Sequence, residues 1–220
     1  KVTSAKNAVE VYSSLVHKVP EAVDQAVETS GLLFDPDPAT YLYMDVVFQR
    51  SDQVIEAMAR MRATTVVALQ RGQWTESDTA VLKQNADTLN SALNTLEIRV
   101  GSIPHYGETE LKQWKPAVAA VISFRDDLLK LSDKAAQAGG KVNADPLQVF
   151  DMYTKANEVY DAFHNASADR MHELLVARQQ TVVATRNAMA AGSVFGLLLA
   201  AYLYFAVASA IRRSSKTVVT

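Results

Sequence analysis

Apolar residues recur along the chain at three- and four-residue intervals, the spacing that lines one face of an α-helix. The first run, about 3–30, carries Val9, Tyr12, Leu15, Val16, Val19, Val23 and Val27. Pro20 is expected to kink it and Gly31 to cap its end. A second run, about 38–72, repeats Met44, Val47, Phe48, Val54, Ile55, Met58, Thr65, Val66 and Leu69, then stops at Gly72. "TESD" (75–78) resembles a capping box with Asp in the Glu position. It opens a third run, about 76–101, along Val81, Leu82, Leu89, Leu93, Leu96 and Val100. "GSIPHYGE" (101–108) breaks the pattern. A fourth run, about 108–137, uses Leu111, Trp114, Val118, Val121, Ile122, Leu128 and Leu129, with Pro116 placed to kink it. After "AGGKVNADP" (138–146), Asp145 suits an N-cap and Pro146 a first helical position. The fifth run meets no Gly or Pro until Gly192. No stretch alternates as a strand would, and no sequence repeat is visible.

Five long helices with short connections predict an all-α, antiparallel up-and-down helical bundle. Between the first two helices lies "DPDPATYLYMD" (35–45), whose three Asp in eleven residues raise the question of chemistry. Its spacing also reads as architecture: Asp37 as N-cap with Pro38 in the first turn, and Asp35–Pro36 holding the chain extended. Asp45, one turn in, is placed to pair with a neighbouring cation.

From Ala188 to Ile211 the chain runs 24 residues without a charge. At ~1.5 Å per residue this spans roughly 36 Å, more than a hydrocarbon core of about 30 Å. The fifth helix is therefore expected to continue into a transmembrane segment. Arg212, Arg213 and Lys216 come after it, which predicts a cytoplasmic C-terminal end, although Arg178 and Arg186 weigh the other way. The expected division is an extracytoplasmic bundle over 1–187, a membrane span over 188–211 and a cytoplasmic linker start over 212–220. Gly192, Gly196 and Ala200 form a small-residue ladder that would let two spans approach, as in a homodimer. Counting helix directions back from the span predicts a sixth helix upstream of Lys1. With Lys1 inside a helical pattern and Thr220 just past the span, the sequence is expected to be cut at both ends.

Composition narrows the chemistry. Charge is nearly balanced, with 22 basic and 24 acidic residues, so nothing points to nucleic acid. There is no cysteine, which excludes disulfides, thiolate metal sites and thiol nucleophiles. The four histidines (His17, His105, His164, His172) show no zinc spacing, and no Glu-x-x-His pair exists for a di-iron bundle. Neither a phosphate-binding loop nor a nucleophile elbow appears. No enzyme, metal or cofactor is expected.

The stretch "SGLLFDPDPATYLYMDVVFQRSDQVIEAMARMRA" is similar to a segment recurring in bacterial chemoreceptors and sensor kinases with large helical periplasmic regions. Ser30, Gly31, Leu32, Asp35, Pro36, Asp37, Pro38, Tyr41, Met44 and Asp45 carry the likeness; the usual adjacent tyrosine pair is split here by Leu42. "SAIRRSSKTVVT" after the span looks like the entry to a HAMP linker. The likeness is good over about 28–62 and general elsewhere. A six-helix count would resemble the helical bimodular sensor domains. The resemblance implies a homodimeric methyl-accepting chemotaxis receptor in the bacterial inner membrane, with a periplasmic sensor for a small organic acid or amino acid. A sensor kinase, a cyclase receptor, or a membrane-anchored adaptor bundle that binds a partner protein remain alternatives.

Polar residues on apolar stripes mark candidate ligand positions. Arg62 follows Met58 and precedes Val66 by four; Arg125 sits among Val121, Ile122, Leu128 and Leu129. Asn85 lies between Leu82 and Leu89. Asn157 and Tyr160 belong to a stripe read as Phe150, Tyr153, Asn157, Tyr160, His164, Met171 and Leu174. Placed at similar heights in the bundle, these five would clamp a carboxylate, since guanidinium forks match carboxylates bidentately. The same arginines could instead snorkel to the rim or pair with Asp126, Asp127 or Glu158.

Overall fold

A computed structural model describes residues 18, 21–32 and 35–217, with side chains described through residue 209. The chain divides into two units, Lys1–His172 and Glu173–Thr220. Among the described residues every long element is a helix, and the single β-bridge, Gln73 with Lys141, is isolated. The all-α expectation is met.

Residues 21–29 form α1, which ends at Gly31 with φ 76° as a left-handed C-terminal residue. Val27 is buried and Val23 half-buried; Val9, Tyr12, Leu15, Val16, Val19 and Pro20 lie outside the described residues. The Asp-Pro corner comes next. Asp35 accepts a hydrogen bond from the Asp37 amide (2.8 Å), and Asp37 caps the next helix by accepting from Thr40 N (2.9 Å) and Thr40 Oγ1 (2.6 Å). That helix, α2, comprises Pro38–Met44, a π-helical stretch Asp45–Arg50, and Ser51–Arg71, and ends on Gly72 at φ 70°.

Helix α3, Glu76–Ser102, starts on the expected capping box: Thr75 accepts from Asp78 N, and Asp78 accepts from Thr75 N at 2.7 Å. A 3₁₀ turn, Ile103–Tyr106, succeeds it. Helix α4 is Trp114–Gln137, beginning six residues later than the expected 108. Gly107, at φ 83°, turns the chain, and Glu108 is committed to a two-point pair with Arg170. Helix resumes where Trp114 buries its ring against Phe163, centroids 4.9 Å apart. Pro116 does not kink α4. It falls in the first turn, where a missing N–H removes no intrahelical bond. Helix α5 is Pro146–Thr217, opened by Asp145 accepting from Leu147 N at 2.9 Å.

Within the first unit, consecutive helices run antiparallel. Thr64–Asn85 and Asp45–Arg99 contacts order α2 against α3. Thr79–Ser132 and Asn90–Arg125 order α3 against α4. Trp114–Phe163 and Phe124–Tyr153 order α4 against α5. Arg62–Tyr153 and Val47–His164 close the ring from α5 to α2. The result is an up-and-down four-helix bundle. Its centre holds Met58 and Met61 from α2, Leu82, Leu89 and Leu96 from α3, Val121 and Leu128 from α4, and Tyr160 and Phe163 from α5.

Two inward stripes differ from the periodic pattern. Val81 is exposed at 42%, and α3 buries Leu82, Ala86 and Leu89 instead. On α5 the buried line is Val149, Ala156, Tyr160, Phe163, Ser167 and Met171, one residue round from much of the expected line. Phe150 is therefore 40% exposed, and Tyr153, Asn157 and His164 sit half-buried on the flank facing α2. The small residues Ala156 and Ser167 are buried on this central line, Ser167 donating its hydroxyl hydrogen to the Phe163 carbonyl.

In the second unit α5 carries an apolar stretch long enough to cross a membrane, with Phe195, Leu197, Leu198, Tyr202 and Tyr204 exposed. The side chains of Arg212, Arg213 and Lys216 lie outside the described residues.

Candidate functional site

The five candidate residues distribute over three helix–helix seams. Arg62 lies half-buried between α2 and α5, its guanidinium 4.3 Å from the Tyr153 ring centroid and 5.2 Å from that of Phe150. Asn85 bridges α3 to α2 by donating to Thr64 Oγ1 at 3.3 Å. Arg125 bridges α4 to α3: it bonds Asn90 Oδ1 and pairs with Asp126 at 2.7 Å. Asn157 donates to Asp161 at 2.8 Å, one turn along α5. Tyr160 is fully buried against Phe163, centroids 6.0 Å apart. Asn157 and Tyr160 thus share the α2/α5 seam with Arg62, while Asn85 and Arg125 serve other seams. None of the five lines the surface grooves of about 290, 540 and 290 Å³ on the α2/α3, α3/α4 and α4/α5 seams.

Buried polar atoms without a partner concentrate on the α2/α5 seam. Tyr43 Oη and Ser51 Oγ on α2, with Asn157 Oδ1 and Tyr160 Oη on α5, make no hydrogen bond among the described residues. Burial pushes the Tyr160 phenol well above its ordinary pKa; the nearby Ser51 hydroxyl opposes this without reaching hydrogen-bond geometry. Tyr43 is pushed up to about 12, first by burial, then by the Glu108 charge, with Arg170 acting against both. Asp52 remains exposed as a residue, yet desolvation of its carboxylate raises its pKa. His164 opposes that shift, and Asp24 and Glu56 reinforce it. His164 itself is held by Nε2 against the Val47 carbonyl, 3.2 Å away.

On the opposite side of α2 lies the most highly charged buried feature among the described residues. Asp45 is 1% exposed and contacts two guanidinium groups: Arg50 Nε at 3.1 Å and Arg99 Nε, from α3, at 2.8 Å. A buried carboxylate needs such partners, because leaving it unpaired would cost several kcal/mol. Asp45 and Arg50 are five residues apart, which in an α-helix sets them about 140° apart around the axis. Here the π winding over Asp45–Arg50, with its i→i+5 bonding, brings them onto one face. Periodicity flagged Asp45 but missed Arg50 and Arg99, since neither stands at an α-helical spacing from it in sequence. It missed Glu108 and Arg170 for the same reason. That pair joins the α3–α4 connection to α5, at Arg170 Nε–Glu108 Oε2 2.7 Å and Nη2–Oε1 2.9 Å.

No group of three or more His, Asp or Glu among the described residues is arranged to hold a metal ion. Comparison with known proteins adds no assignment: no family model, no curated protein and no solved structure matches the chain.

Proposed function

We propose that this chain is the sensing and membrane-anchoring part of a bacterial transmembrane signal receptor. The bundle would lie on the periplasmic side of the inner membrane, and residues 212–220 would begin a cytoplasmic HAMP-type linker. The observation that carries this reading is the fifth helix. One helix, Pro146–Thr217, contributes Tyr160 and Phe163 to the bundle core and also carries the exposed apolar stretch. An unbroken helix needs no hinge to pass a small displacement along its axis. A ligand that distinguishes two registers of α5 would therefore shift the linker on the far side of the span. The ligand class is a small organic acid or amino acid, the receptor acts as a homodimer, and chemotaxis is the first choice of output. A sensor kinase or cyclase using the same input is the alternative.

A second reading, an anchored adaptor that binds a partner protein, has one observation in its favour: the described clefts are open grooves on helix seams rather than enclosed cavities. Thermal-shift screening of the whole chain in detergent against organic acids and amino acids separates the two. The receptor reading expects at least one saturable stabiliser. A chain that no compound stabilises, but that captures a soluble protein stoichiometrically, is an adaptor.

A further inference from the structure

We propose that the α2/α3 groove, together with Arg50 and Arg99 about one helical turn beyond its lining residues Gln53 and Thr95, is a binding site for a polyhydroxylated monocarboxylate, a sugar acid. Two guanidinium groups face a single buried carboxylate, so the cluster carries one uncompensated positive charge. Among the described residues, Arg50 hydrogen-bonds Asp45 through Nε, Arg99 is ion-paired with the same carboxylate, and neither arginine makes a hydrogen bond through its Nη atoms. Their side chains keep 25% and 37% of their exposure, so an incoming anion can reach them. One carboxylate head group on the Nη donors would neutralise the cluster, and paired guanidinium forks suit that shape.

The body of the ligand is set by the residues one turn further along both helices. Gln53 is three residues beyond Arg50 on α2, and Thr95 four residues before Arg99 on α3, so each shares a face with its arginine. Both line the groove of about 290 Å³, which continues past Ser91 and Thr88. That volume stands at the small end of the range for ligand pockets, ~300–1,000 Å³. Thr88 and Thr95 donate their hydroxyl hydrogens to the Gln84 and Ser91 carbonyls. Their oxygens are thereby turned into acceptors for hydroxyl hydrogens of a ligand. At the far end Arg60 and Glu56 pair with each other at 2.5 Å and add no net charge. The two arginines one turn beyond the groove therefore offer donors, and the groove itself offers acceptors along its length and no second net positive site, which fits one anionic head and a hydroxylated tail.

The proposal concerns binding at this groove and holds whether or not binding is signalled across a membrane. The test is isothermal titration of the whole chain in detergent with gluconate, alongside acetate, glycerol and inorganic phosphate. Gluconate is expected to bind saturably, acetate about tenfold more weakly, and glycerol not at all. Arg99→Gln should weaken gluconate about tenfold, equivalent to ~1.4 kcal/mol. Thr95→Val, which leaves the arginines untouched, should weaken gluconate severalfold and acetate not at all, and it serves if Arg99→Gln fails to fold. Absence of gluconate binding by folded chain, binding indifferent to both variants, or phosphate binding as tightly as gluconate would each overturn the assignment. In the first case a stabiliser found in the organic-acid screen would leave the receptor reading standing.

Discussion

Replacing Tyr160 by Phe should stabilise the protein, the reverse of the usual outcome for a buried tyrosine. The side chain has 0% exposure, and its hydroxyl is one of four buried side-chain atoms among the described residues without a hydrogen-bond partner. An unsatisfied buried hydroxyl costs about 1–3 kcal/mol relative to its hydrated state. Removing it opens a void on the order of 10 Å³, which at ~24 cal/mol per Å³ costs only about 0.2 kcal/mol. The ring keeps its edge contact with Phe163 in either variant. The balance is a net gain of about 1 kcal/mol, which for a chain of this size raises the melting temperature by ~2–4 °C. Thermal unfolding monitored by circular dichroism measures it directly, and Ser51→Ala completes a double-mutant cycle. With Ser51 Oγ likewise unpartnered, the two effects should add within ~0.5 kcal/mol. A Tyr160→Phe variant that melts lower than wild type, with a coupling above ~1 kcal/mol to Ser51→Ala, would show the two hydroxyls hydrogen-bonded and refute the reasoning.

Three further outcomes are expected. Asp52→Asn should stabilise at pH 7: the raised folded pKa means wild type loses stability as pH rises from about 4 through it, so the variant's advantage should vanish at pH 3 in a melting series. Asp78→Asn should cost about 1 kcal/mol at pH 7, the usual worth of a cap. Burial alone would raise the Asp78 pKa, but hydrogen bonds from Thr75 and the Arg71 charge hold it low. That contribution is present above pH ~4 and is lost as pH falls through the folded value, so wild type and variant should converge in acid. Gly140→Ala should destabilise by more than about 2 kcal/mol in denaturant titration, because a Cβ there would stand 2.6 Å from the Trp74 carbonyl oxygen at a φ of 85°. Gly139→Ala, at φ 66° with open space around it, should cost less.

Helix ends were legible in the sequence wherever a local signal fixed them. Asp37, Thr75–Asp78, Asp145, Gly31 and Gly72 all act within four residues of themselves, and each performs the expected capping or turning. The α4 start was not legible, because the pull on Glu108 comes from Arg170, 62 residues away. Nor was the phase of α5. Alternating aromatic and polar residues at Tyr153, Asn157 and His164 give nearly as good a stripe as Val149, Ala156 and Phe163. Only the facing helices decide which line is central. The candidate site suffered from the same degeneracy. The sequence spacing sets Arg62, Asn85 and Arg125 at similar heights, but height along the axis says nothing of which seam a side chain enters. Rotations of α2, α3 and α4 send them to α5, α2 and α3 respectively.

The π winding of α2 is the least readable feature and ties both seams together. An extra residue in a helical turn weakens backbone bonding and needs compensation from side chains or tertiary contacts. Here compensation comes from both sides of the same helix. Towards α3, the winding lets Arg50 reach the Asp45 carboxylate that Arg99 also holds. Towards α5, the Val47 carbonyl lies 3.2 Å from His164 Nε2, and a proton on that nitrogen would make it a hydrogen-bond donor. Rewinding 45–50 as α-helix would swing Arg50 away from Asp45 and move Val47 relative to His164, leaving a buried carboxylate short of one partner. The loss of a charged hydrogen bond, about 1.5–3 kcal/mol, exceeds the gain a regular turn would recover from its backbone bond, about 1 kcal/mol. The π turn persists because residues on α2, α3 and α5 each hold part of it.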